Sequence, residues 1–436
     1  MGNKPISSSP GPAADPSGEL GEVGSPASSS PRDGPIDIPR YDGPPIGVAV
    51  LGTGQRALGL TTNLHMCSRG SIKFVLYDEV PRALQEAREI LGSCCETADS
   101  VAAAVCRPDV QWVMVTSKNY LHKDYCVAAL EAGKHVFCEK PLATTIDDCL
   151  TIKEAAVKAG KIFMTGFVLR YSRFYSEVRK LVKEGFLGKI VSMEANEMLA
   201  PDHGGYIFRN WRRFKDQSGP HILEKCAHDV DILNWMAESV VTKAFAFGGT
   251  DIFTPENKVV ADKLQEESSS IYAPMYKGWG MYEDVDPFTC EKTVEDNMVA
   301  VLQYRNGIRV TFQTNCCSAI PQRQLKIFGL EGTLDGDSMT GQFVAKRMSR
   351  GSEAVKVQSK GGQHAGGDPI IIATLWNAMV STAKQNAGEN DVTADFRIKS
   401  YLDECFISSI TCLAIEEARE TGKVVDLEKY WERLGV

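Results

Sequence analysis

Short apolar runs alternate with longer amphipathic stretches from residue 46 onward. The run Ile46-Gly-Val-Ala-Val-Leu51 carries no polar side chain, which is typical of a strand buried on both faces. The predicted strands are 46–51, 72–77, 111–115, 135–137 and 161–165, and the predicted helices are 56–66, 81–91, 121–132 and 146–159. Strands and helices that alternate at this spacing predict a parallel sheet with helices on both faces.

The pattern changes after residue 167, where polar and apolar positions alternate in consecutive runs. The predicted strands are 189–197, 240–247, 297–304, 308–314, 324–328 and 342–347, and the predicted helices are 175–183, 222–236, 370–385 and 396–421. Asn306-Gly307 predicts a type I′ hairpin turn, and 201–219 and 255–292 are predicted to be loops. Consecutive strands joined by tight turns indicate an antiparallel sheet.

The two patterns together predict an α/β protein of three segments. Residues 1–44 are rich in Ser, Pro, Gly and Asp, and we expect a disordered tail. Residues 45–166 form the predicted Rossmann dinucleotide-binding domain. Residues 167–436 form a predicted C-terminal α+β domain with a large, mostly antiparallel sheet for substrate binding and oligomerisation.

Charge and cysteine usage narrow the function classes. A net charge of −8 disfavours nucleic-acid binding and docking on anionic lipid, because both need a basic surface. No apolar run is long enough to span a bilayer, and the N-terminus lacks the pattern of a secretory signal. The 13 cysteines include no Cys-x-x-Cys pair, so we expect buried thiols in a reducing cytoplasm and no metal site.

A glycine loop directly after the first strand predicts a dinucleotide site. Gly52-Thr-Gly54-Gln55-Arg56-Ala fits G-x-G-x-x-G/A, in which glycines make the turn and admit the pyrophosphate. Asp78 ends the next strand, where a carboxylate accepts hydrogen bonds from an adenosine ribose and repels a 2′-phosphate. The residues therefore favour NAD, although nearby Arg82 leaves NADP open.

Further polar residues follow the next predicted strands. Thr116, Ser117 and Asn119 come after 111–115, at the edge where open α/β sheets bind ligands, and His122 lies just beyond. We expect these residues to line the cofactor cleft, and the alternative is that they are helix caps or surface groups.

Glu139-Lys140-Pro141 follows another predicted strand end. A lysine beside a cationic nicotinamide has a lowered pKa and can share a proton with a substrate hydroxyl. A surface lysine before a loop proline is the alternative.

The segment Gly-Lys-His-Val-Phe-Cys-Glu-Lys-Pro at 133–141, with the glycine loop, resembles the Gfo/Idh/MocA oxidoreductases over about 45–430. The resemblance implies that Lys140 lies at the nicotinamide, contacts substrate and acts in catalysis, that Glu139 belongs to the cofactor site, and that the bond before Pro141 is cis.

A second signature of this family appears around the helix predicted at 222–236. Glu224, His228 and Asp231 are spaced i, i+4 and i+7, so one helix face is predicted to present all three. The resemblance implies that His228 is the general base and that Glu224, in place of the usual aspartate, orients substrate or His228. Asp231 is expected at the substrate. A metal site on this helix face and a buried polar network without catalysis are the alternatives.

The remaining substrate candidates come from two loops. The resemblance implies that Arg170 and Tyr171 face the substrate, and Trp211 and Arg212 offer the ring face and guanidinium that sugar recognition uses. A loop at 364–368 is a further segment that we expect to reach the pocket.

These features together predict hydride transfer between a secondary alcohol of a sugar, inositol or sugar derivative and the nicotinamide. The alternatives are an NAD-assisted glycoside hydrolase and a non-enzymatic NAD(P)-binding sensor of the same fold. The partner is expected to be a small sugar or polyol, with a homodimer or homotetramer formed through the open face of the second sheet.

Overall fold

The computed structural model describes residues 38–267, 284–349, 354–362, 364–388 and 395–436, of which 265 and 395–402 are described by their backbone alone. The first sheet contains β1 (Ile46–Leu51), β2 (Ile72–Tyr77), β3 (Cys95–Thr97), β4 (Trp112–Val115), β5 (His135–Cys138) and β6 (Phe163–Thr165). All its strands are parallel, in the order β3-β2-β1-β4-β5-β6. The predicted Rossmann sheet is confirmed, and the short β3 is an addition to it.

Helices connect these parallel strands. They are α1 (Gln55–Ser68), α2 (Pro81–Leu91), α3 (Val101–Val105), α4 (His122–Glu131) and α5 (Ile146–Ala159). The strand order reverses between β1 and β4, so the loops after these two strands diverge at the carboxyl edge of the sheet. Such a point is where open α/β sheets bind their ligands.

The second sheet is large and mostly antiparallel, as predicted. Its strands are β7 (Ile190–Met198), β8 (Val241–Gly249), β9 (Asn297–Tyr304), β10 (Arg309–Asn315), β11 (Gln324–Gly329), β12 (Gly332–Asp337), β13 (Gln342–Arg347), β14 (Val355–Gln358) and β15 (Val425–Asp426). Their order is β14-β13-β12-β11-β7-β10-β9-β8-β15, and only β7 and β10 pair in parallel. The long alternating strands were predicted, whereas β12, β14 and β15 were not.

The second half also carries nine helices within the described ranges. They are α6 (Arg173–Lys183), α7 (Pro201–Arg209), α8 (Lys215–Ser218), α9 (His221–Glu224), α10 (Ala227–Ala237), α11 (Lys258–Glu267), α12 (Asp368–Asn386), α13 (Asp395–Thr421) and α14 (Glu428–Leu434). No helix of the described ranges combines the length and apolar content that crossing a bilayer requires.

Three local predictions in this half are wrong. Residues 201–219 are largely helical rather than a loop, and the predicted loop 255–292 contains α11, while its residues 268–283 lie outside the described ranges. The hairpin at Asn306-Gly307 is not type I′, because that turn needs a positive φ at both central residues and only Gly307 has one, at +88°. Gly307 instead ends a three-residue loop closed by the hydrogen bond from Tyr304 N to Ile308 O at 2.9 Å.

The helix predicted at 222–236 is broken at Lys225 and Cys226 into α9 and α10. In an unbroken helix the carbonyl of Glu224 would accept from the amide of His228. Here that carbonyl accepts from the Lys140 ammonium, a contact between the two halves of the chain. A tertiary hydrogen bond thus takes the place of a helical one.

The C-terminal part of the chain returns to the first sheet through α12. The Trp112 indole donates to Thr382 Oγ1 over 3.1 Å, and the Trp376 indole donates to Pro39 O over 3.0 Å. Tyr41 packs edge-on against Trp376, with ring centroids 6.1 Å apart. The last residues of the predicted tail, 38–44, are therefore described and lie against α12, whereas residues 1–37 lie outside the described ranges.

Candidate active site

The glycine loop after β1 has the shape that a pyrophosphate requires. Gly52 has a φ of +96°, and a Cβ built on it would lie 2.4 Å from Ser117 Cα. Thr116 Oγ1 donates to Gly52 O over 2.6 Å, which joins the two loops. Gly54 caps α1 without a side-chain hydrogen bond, and its Cβ position opens on empty space. The amides of the α1 N-terminus are thus available to an anion, so these residues fit a dinucleotide.

Asp78 lies against this loop at the end of β2. Its Oδ2 accepts from Thr53 N at 2.6 Å and from Thr53 Oγ1 at 3.1 Å, and its Oδ1 accepts from Val80 N at 2.8 Å. The carboxylate is therefore fixed beside the glycine turn, where the prediction requires it, and Gln55 is exposed at the start of α1.

Asn119 and His122 are buried supports rather than open cleft residues. Asn119 is 4% exposed and donates from Nδ2 to Ser218 O over 2.8 Å. His122 is 1% exposed, with Nδ1 2.8 Å from Pro141 O and Nε2 3.2 Å from Ser117 O. The prediction that His122 lines the cleft is wrong, because both ring nitrogens are occupied by main-chain carbonyls of two strand-end loops.

Glu139 and Arg56 connect the glycine loop to the loop after β5. Arg56 Nε donates to Glu139 Oε1 over 2.8 Å, and the Lys140 amide donates to Glu139 Oε2 over 3.0 Å. A Cβ on Gly166 would lie 2.6 Å from this carboxylate, so a glycine there leaves room for it. The main chain at Lys140 is held by this carboxylate.

Lys140 is the residue at which the two halves of the site meet. The bond from Lys140 to Pro141 is cis, as the resemblance implied. Lys140 Nζ donates to the carbonyl of Glu224 and lies 3.7 Å from Glu224 Oε1. Burial lowers the pKa of Lys140, against the opposing effect of Glu224. The ammonium is therefore easier to deprotonate than one in water.

Glu224 lies between two cations. Arg212 Nε donates to Glu224 Oε1 over 2.8 Å, and Lys140 approaches from the other domain. Burial acts to raise the pKa of Glu224, but Lys140 and Arg212 outweigh it and bring the pKa to about 2. Glu224 is thus an ionised anchor for Lys140 and Arg212.

His228 is a neutral imidazole with an unoccupied hydrogen-bonding position. It is 3% exposed, and among the described residues no partner lies within hydrogen-bonding distance of its buried Nδ1. Its ring lies edge-on to Phe167, at 6.1 Å, and to His364, at 5.8 Å. Burial lowers the pKa of His228 well below its usual value, and Lys140 acts in the same direction. A neutral imidazole of this kind accepts a proton from a hydroxyl.

Arg170 and Asp231, which were both predicted to contact the substrate, form a buried pair with each other. Arg170 Nε and Nη2 donate to the two oxygens of Asp231 at 2.6 and 2.8 Å, and Ser408 Oγ donates to Asp231 Oδ1 at 2.8 Å. The side chains of Arg170 and Asp231 are 5% and 1% exposed.

The break before α10 separates Glu224 from the helix that carries His228 and Asp231. The prediction that one helix face presents all three residues is therefore wrong.

Trp211 and Arg212 stand together, whereas Tyr171 lies elsewhere. The Arg212 guanidinium is 4.5 Å from the Trp211 ring centroid, and its Nη1 donates to Tyr206 OH over 2.9 Å. Because Arg212 also binds Glu224, this stack borders the Lys140 site. Tyr171 packs instead on the core beneath α12.

A buried charge cluster behind the site escaped the sequence interpretation. Arg323 Nε donates to Asp229 Oδ1 over 2.8 Å, and the same guanidinium donates to Glu197. Lys225 Nζ lies 3.1 Å from Glu197 Oε1. Glu197, Asp229 and Cys226 are close enough together to ligate a metal, but Arg323 and Lys225 already supply the positive charge there. The only hint in the sequence was the polar Lys225 next to Cys226 inside the predicted helix. The residues that complete the cluster, Glu197 and Arg323, are remote from it in sequence.

The loop at 364–368, which was expected at the pocket, contacts His228. His364 faces the ring of His228, and its Nδ1 lies 2.7 Å from Asp368 Oδ2. Asp368 Oδ1 in turn accepts from Arg56 Nη1 at 2.6 Å. The glycine loop, the β5 loop and the start of α12 are therefore joined by side-chain hydrogen bonds.

Comparison with known proteins gives consistent matches over this architecture. Residues 46–167 match the Gfo/Idh/MocA model described as an oxidoreductase family with an NAD-binding Rossmann fold, and 175–335 match a Gfo/Idh/MocA C-terminal domain. A 1,5-anhydro-D-fructose reductase from Ensifer adhaerens is 24% identical over 339 residues, 76% of this chain and 84% of that protein.

Two further relatives extend the comparison. An inositol 2-dehydrogenase from Gluconacetobacter diazotrophicus is 31% identical over 211 residues, which are 46% of this chain and 56% of that protein. A levoglucosan dehydrogenase solved with NADH and levoglucosan superposes with a TM-score of 0.67 at 16% identity, over 87% of this chain and 99% of that one. The last match shows a common fold.

Proposed function

Because the chain belongs to the Gfo/Idh/MocA oxidoreductase family, we propose that it transfers a hydride between a secondary alcohol of a sugar, inositol or sugar derivative and the nicotinamide of NAD. The N-terminal domain is an NAD-binding Rossmann fold. The observation that carries the proposal is that His228 is buried with no partner among the described residues at its Nδ1, while Lys140 is held on the carbonyl of Glu224, four residues before His228. A base beside a positive group suits removal of a hydroxyl proton.

In this proposal His228 takes the hydroxyl proton as the hydride leaves the carbinol carbon. Lys140 donates a hydrogen bond to the same oxygen, which stabilises the negative charge that develops there. When bound, the nicotinamide accepts or returns the hydride. The contact of Lys140 with Glu224 fixes the ammonium, and Arg212 keeps Glu224 ionised.

The residues around β2 support NAD as the preferred cofactor. The Asp78 carboxylate is fixed by Thr53 and Val80 beside the glycine turn. A 2′-phosphate brought to this carboxylate would meet like charge, whereas a ribose hydroxyl would find an acceptor.

We further propose that the protein assembles as a homodimer or homotetramer through the open face of the second sheet. On that face Phe247 is 69%, Val301 50% and Val299 46% exposed. Phe247 lies opposite Val299, and Phe245 lies opposite Val301, so the apolar side chains form one patch across β8 and β9. An exposed apolar patch of this kind supports burial against a second copy.

The expected location is the cytoplasm, with neither nucleic acid nor membrane as partner. No disulfide joins the cysteines of the described residues, which suits a reducing compartment. The net charge of −8 disfavours nucleic acid and anionic membranes.

A panel of inositols, aldoses, anhydro sugars and sugar acids, each with NAD or NADP, tests the proposed activity. The absorbance of the reduced cofactor is expected to rise with at least one cyclic polyol, and faster with NAD than with NADP. Release of a free sugar from a glycoside without net reduced cofactor would contradict the proposal and favour hydrolysis. An absence of any turnover, with NAD still bound, would favour a sensor.

A further inference from the structure

We propose that His364, oriented by Asp368, accepts a hydrogen bond from a second hydroxyl of the substrate, on the carbon next to the one that is oxidised. This role rests on the proposed function, because it concerns the same site. It makes His364 a residue that selects substrates with two neighbouring hydroxyl groups.

The position of His364 is the first argument. Its ring centroid is 5.8 Å from that of His228, and the two planes are inclined by 67°. The His364 side chain is 30% exposed, whereas His228 is 3% exposed. His364 therefore lies beside the proposed base and is the more accessible of the two rings to a ligand.

The orientation of the imidazole is the second argument. His364 Nδ1 is 2.7 Å from Asp368 Oδ2, and Asp368 Oδ1 accepts from Arg56 Nη1 at 2.6 Å. A carboxylate can only accept, so Nδ1 carries the hydrogen and Nε2 presents a lone pair. Across the described ranges no hydrogen-bond partner occupies Nε2, which makes it an oriented acceptor.

The loop that carries His364 is built to a fixed shape. Ala365 and Gly366 have φ values of +46° and +78°, and the Gly367 amide donates to His364 O over 2.9 Å. A Cβ on Gly367 would lie 2.4 Å from Val168 O, so the loop packs directly on the main chain that follows β6. A non-glycine residue with a left-handed φ persists only where its surroundings enforce it, which indicates a defined position for His364.

The charge state of His364 fits an acceptor. Burial lowers the pKa of His364, and Arg56 and Lys225 act in the same direction against Asp368. The ring is therefore neutral near pH 7. His228 and His364 are thus two neutral imidazoles with ring centroids 5.8 Å apart, a spacing that suits a pair of hydroxyls on neighbouring ring carbons.

The test compares wild type, H364A and H364Q on the best cyclic polyol of the panel and on its monodeoxy analogues. Wild type is expected to lose roughly 3- to 10-fold in kcat/KM when the hydroxyl next to the reacting carbon is absent, the loss of one neutral hydrogen bond. H364A is expected to turn over the polyol and that analogue at equal kcat/KM, because the two losses are not additive. H364Q, which retains an acceptor, is expected to recover part of the discrimination.

His65, in the last turn of α1, provides the matched control, and H65A is expected to discriminate like wild type. The dissociation constant for NADH, measured by calorimetry, is expected to stay unchanged in all variants. If H364A discriminates between polyol and analogue as wild type does, the role proposed for His364 is wrong.

The failure of the proposed function gives a different result. If wild type oxidises no polyol, that activity is wrong, and the His364 role is then decided by calorimetric titration of the polyols into the NADH-bound protein. Weaker binding to H364A than to wild type and H65A would support the contact. Equal binding to all three, or binding to none, would overturn it.

Discussion

Lys140 Nζ donates a hydrogen bond to the main-chain carbonyl of Glu224, a residue 84 positions later in the chain. That carbonyl is available because the chain leaves the helical path at Lys225. The break therefore places a main-chain acceptor and a carboxylate on the same ammonium. It explains how a residue of the NAD-binding domain is fixed by the C-terminal domain.

Replacement of Lys140 is expected to affect turnover far more than cofactor binding. In the proposed mechanism K140A removes a hydrogen bond to the substrate oxygen, and kcat should fall by about 10²- to 10⁴-fold. The dissociation constant for NADH should change little, because the glycine loop and Asp78 remain. Lys263, whose side chain is 75% exposed on α11, provides the control in K263A. Equal kcat in K140A and wild type would exclude Lys140 from the mechanism.

The acid limb of the pH profile of alcohol oxidation is expected at a lower pH than a histidine of ordinary pKa would give. Burial holds the pKa of His228 well below 6.5, so the imidazole stays unprotonated, and able to accept a proton, as the pH falls through that value. A plot of kcat/KM for alcohol oxidation against pH should therefore remain flat near pH 6.5 and fall only in more acidic buffer. A limb centred at or above 6.5 would contradict the neutral, buried base.

The Arg170–Asp231 pair is expected to contribute to stability more than its surface counterparts. R170M leaves the Asp231 carboxylate buried without its charged partner, and such a loss costs about 3–5 kcal/mol in the free energy of unfolding. Arg305 and Glu428 form the matched exposed pair, with side chains 44% and 42% accessible, and R305M should cost no more than about 1 kcal/mol. Urea denaturation measures the free energy of unfolding of both variants. Equal losses in R170M and R305M would show that the buried pair stabilises the fold no more than the exposed pair does.

Much of the fold followed from local sequence, and the reason is physical. β1, β2 and β4 to β6 are mainly apolar, and α2 and α5 end at Gly92 and Gly160, so these elements could be recognised from their own sequence. β3 is only Cys95-Glu-Thr97, too short and too polar to be predicted. β12 was missed because Gly332-Thr-Leu-Asp-Gly-Asp337 has few residues that favour a strand, and its neighbours β11 and β13 supply the pairing.

The site was only partly predictable for a related reason. Lys140 and His228 stand in recognisable motifs, but the partners that define their surroundings come from distant segments. Arg170 and Asp231 are 61 residues apart, and Arg56 and Asp368 are 312 residues apart. Periodicity carries no information on such contacts, and it also favoured a continuous helix where the contact with Lys140 requires a break.

The stability of the fold is expected to fall as the pH rises towards neutrality, in part through Glu295. Burial raises the pKa of Glu295 to about 7, from 4.5, and its Oε1 accepts from Ile222 N at the start of α9. Between these values the folded protein keeps a proton that the unfolded chain has released, so stability is lost as the pH increases.

Glu295→Gln is expected to remove this dependence. Its free energy of unfolding should exceed that of wild type by on the order of 1–3 kcal/mol above pH 7 and match it near pH 4.5. Thermal or urea unfolding at both pH values provides the comparison. A constant difference across the pH range would show that Glu295 does not titrate in this way.

The most direct test of hydride transfer follows a deuterium label. The best polyol of the panel is prepared with deuterium on the carbinol carbon, incubated with NAD and the protein, and the reduced cofactor is analysed by mass spectrometry. The proposed mechanism predicts one deuterium on the nicotinamide ring, a primary isotope effect on the transfer step in single-turnover experiments, and loss of both signals in H228A. Reduced cofactor without the label, or a label released into water, would contradict direct transfer from the alcohol carbon.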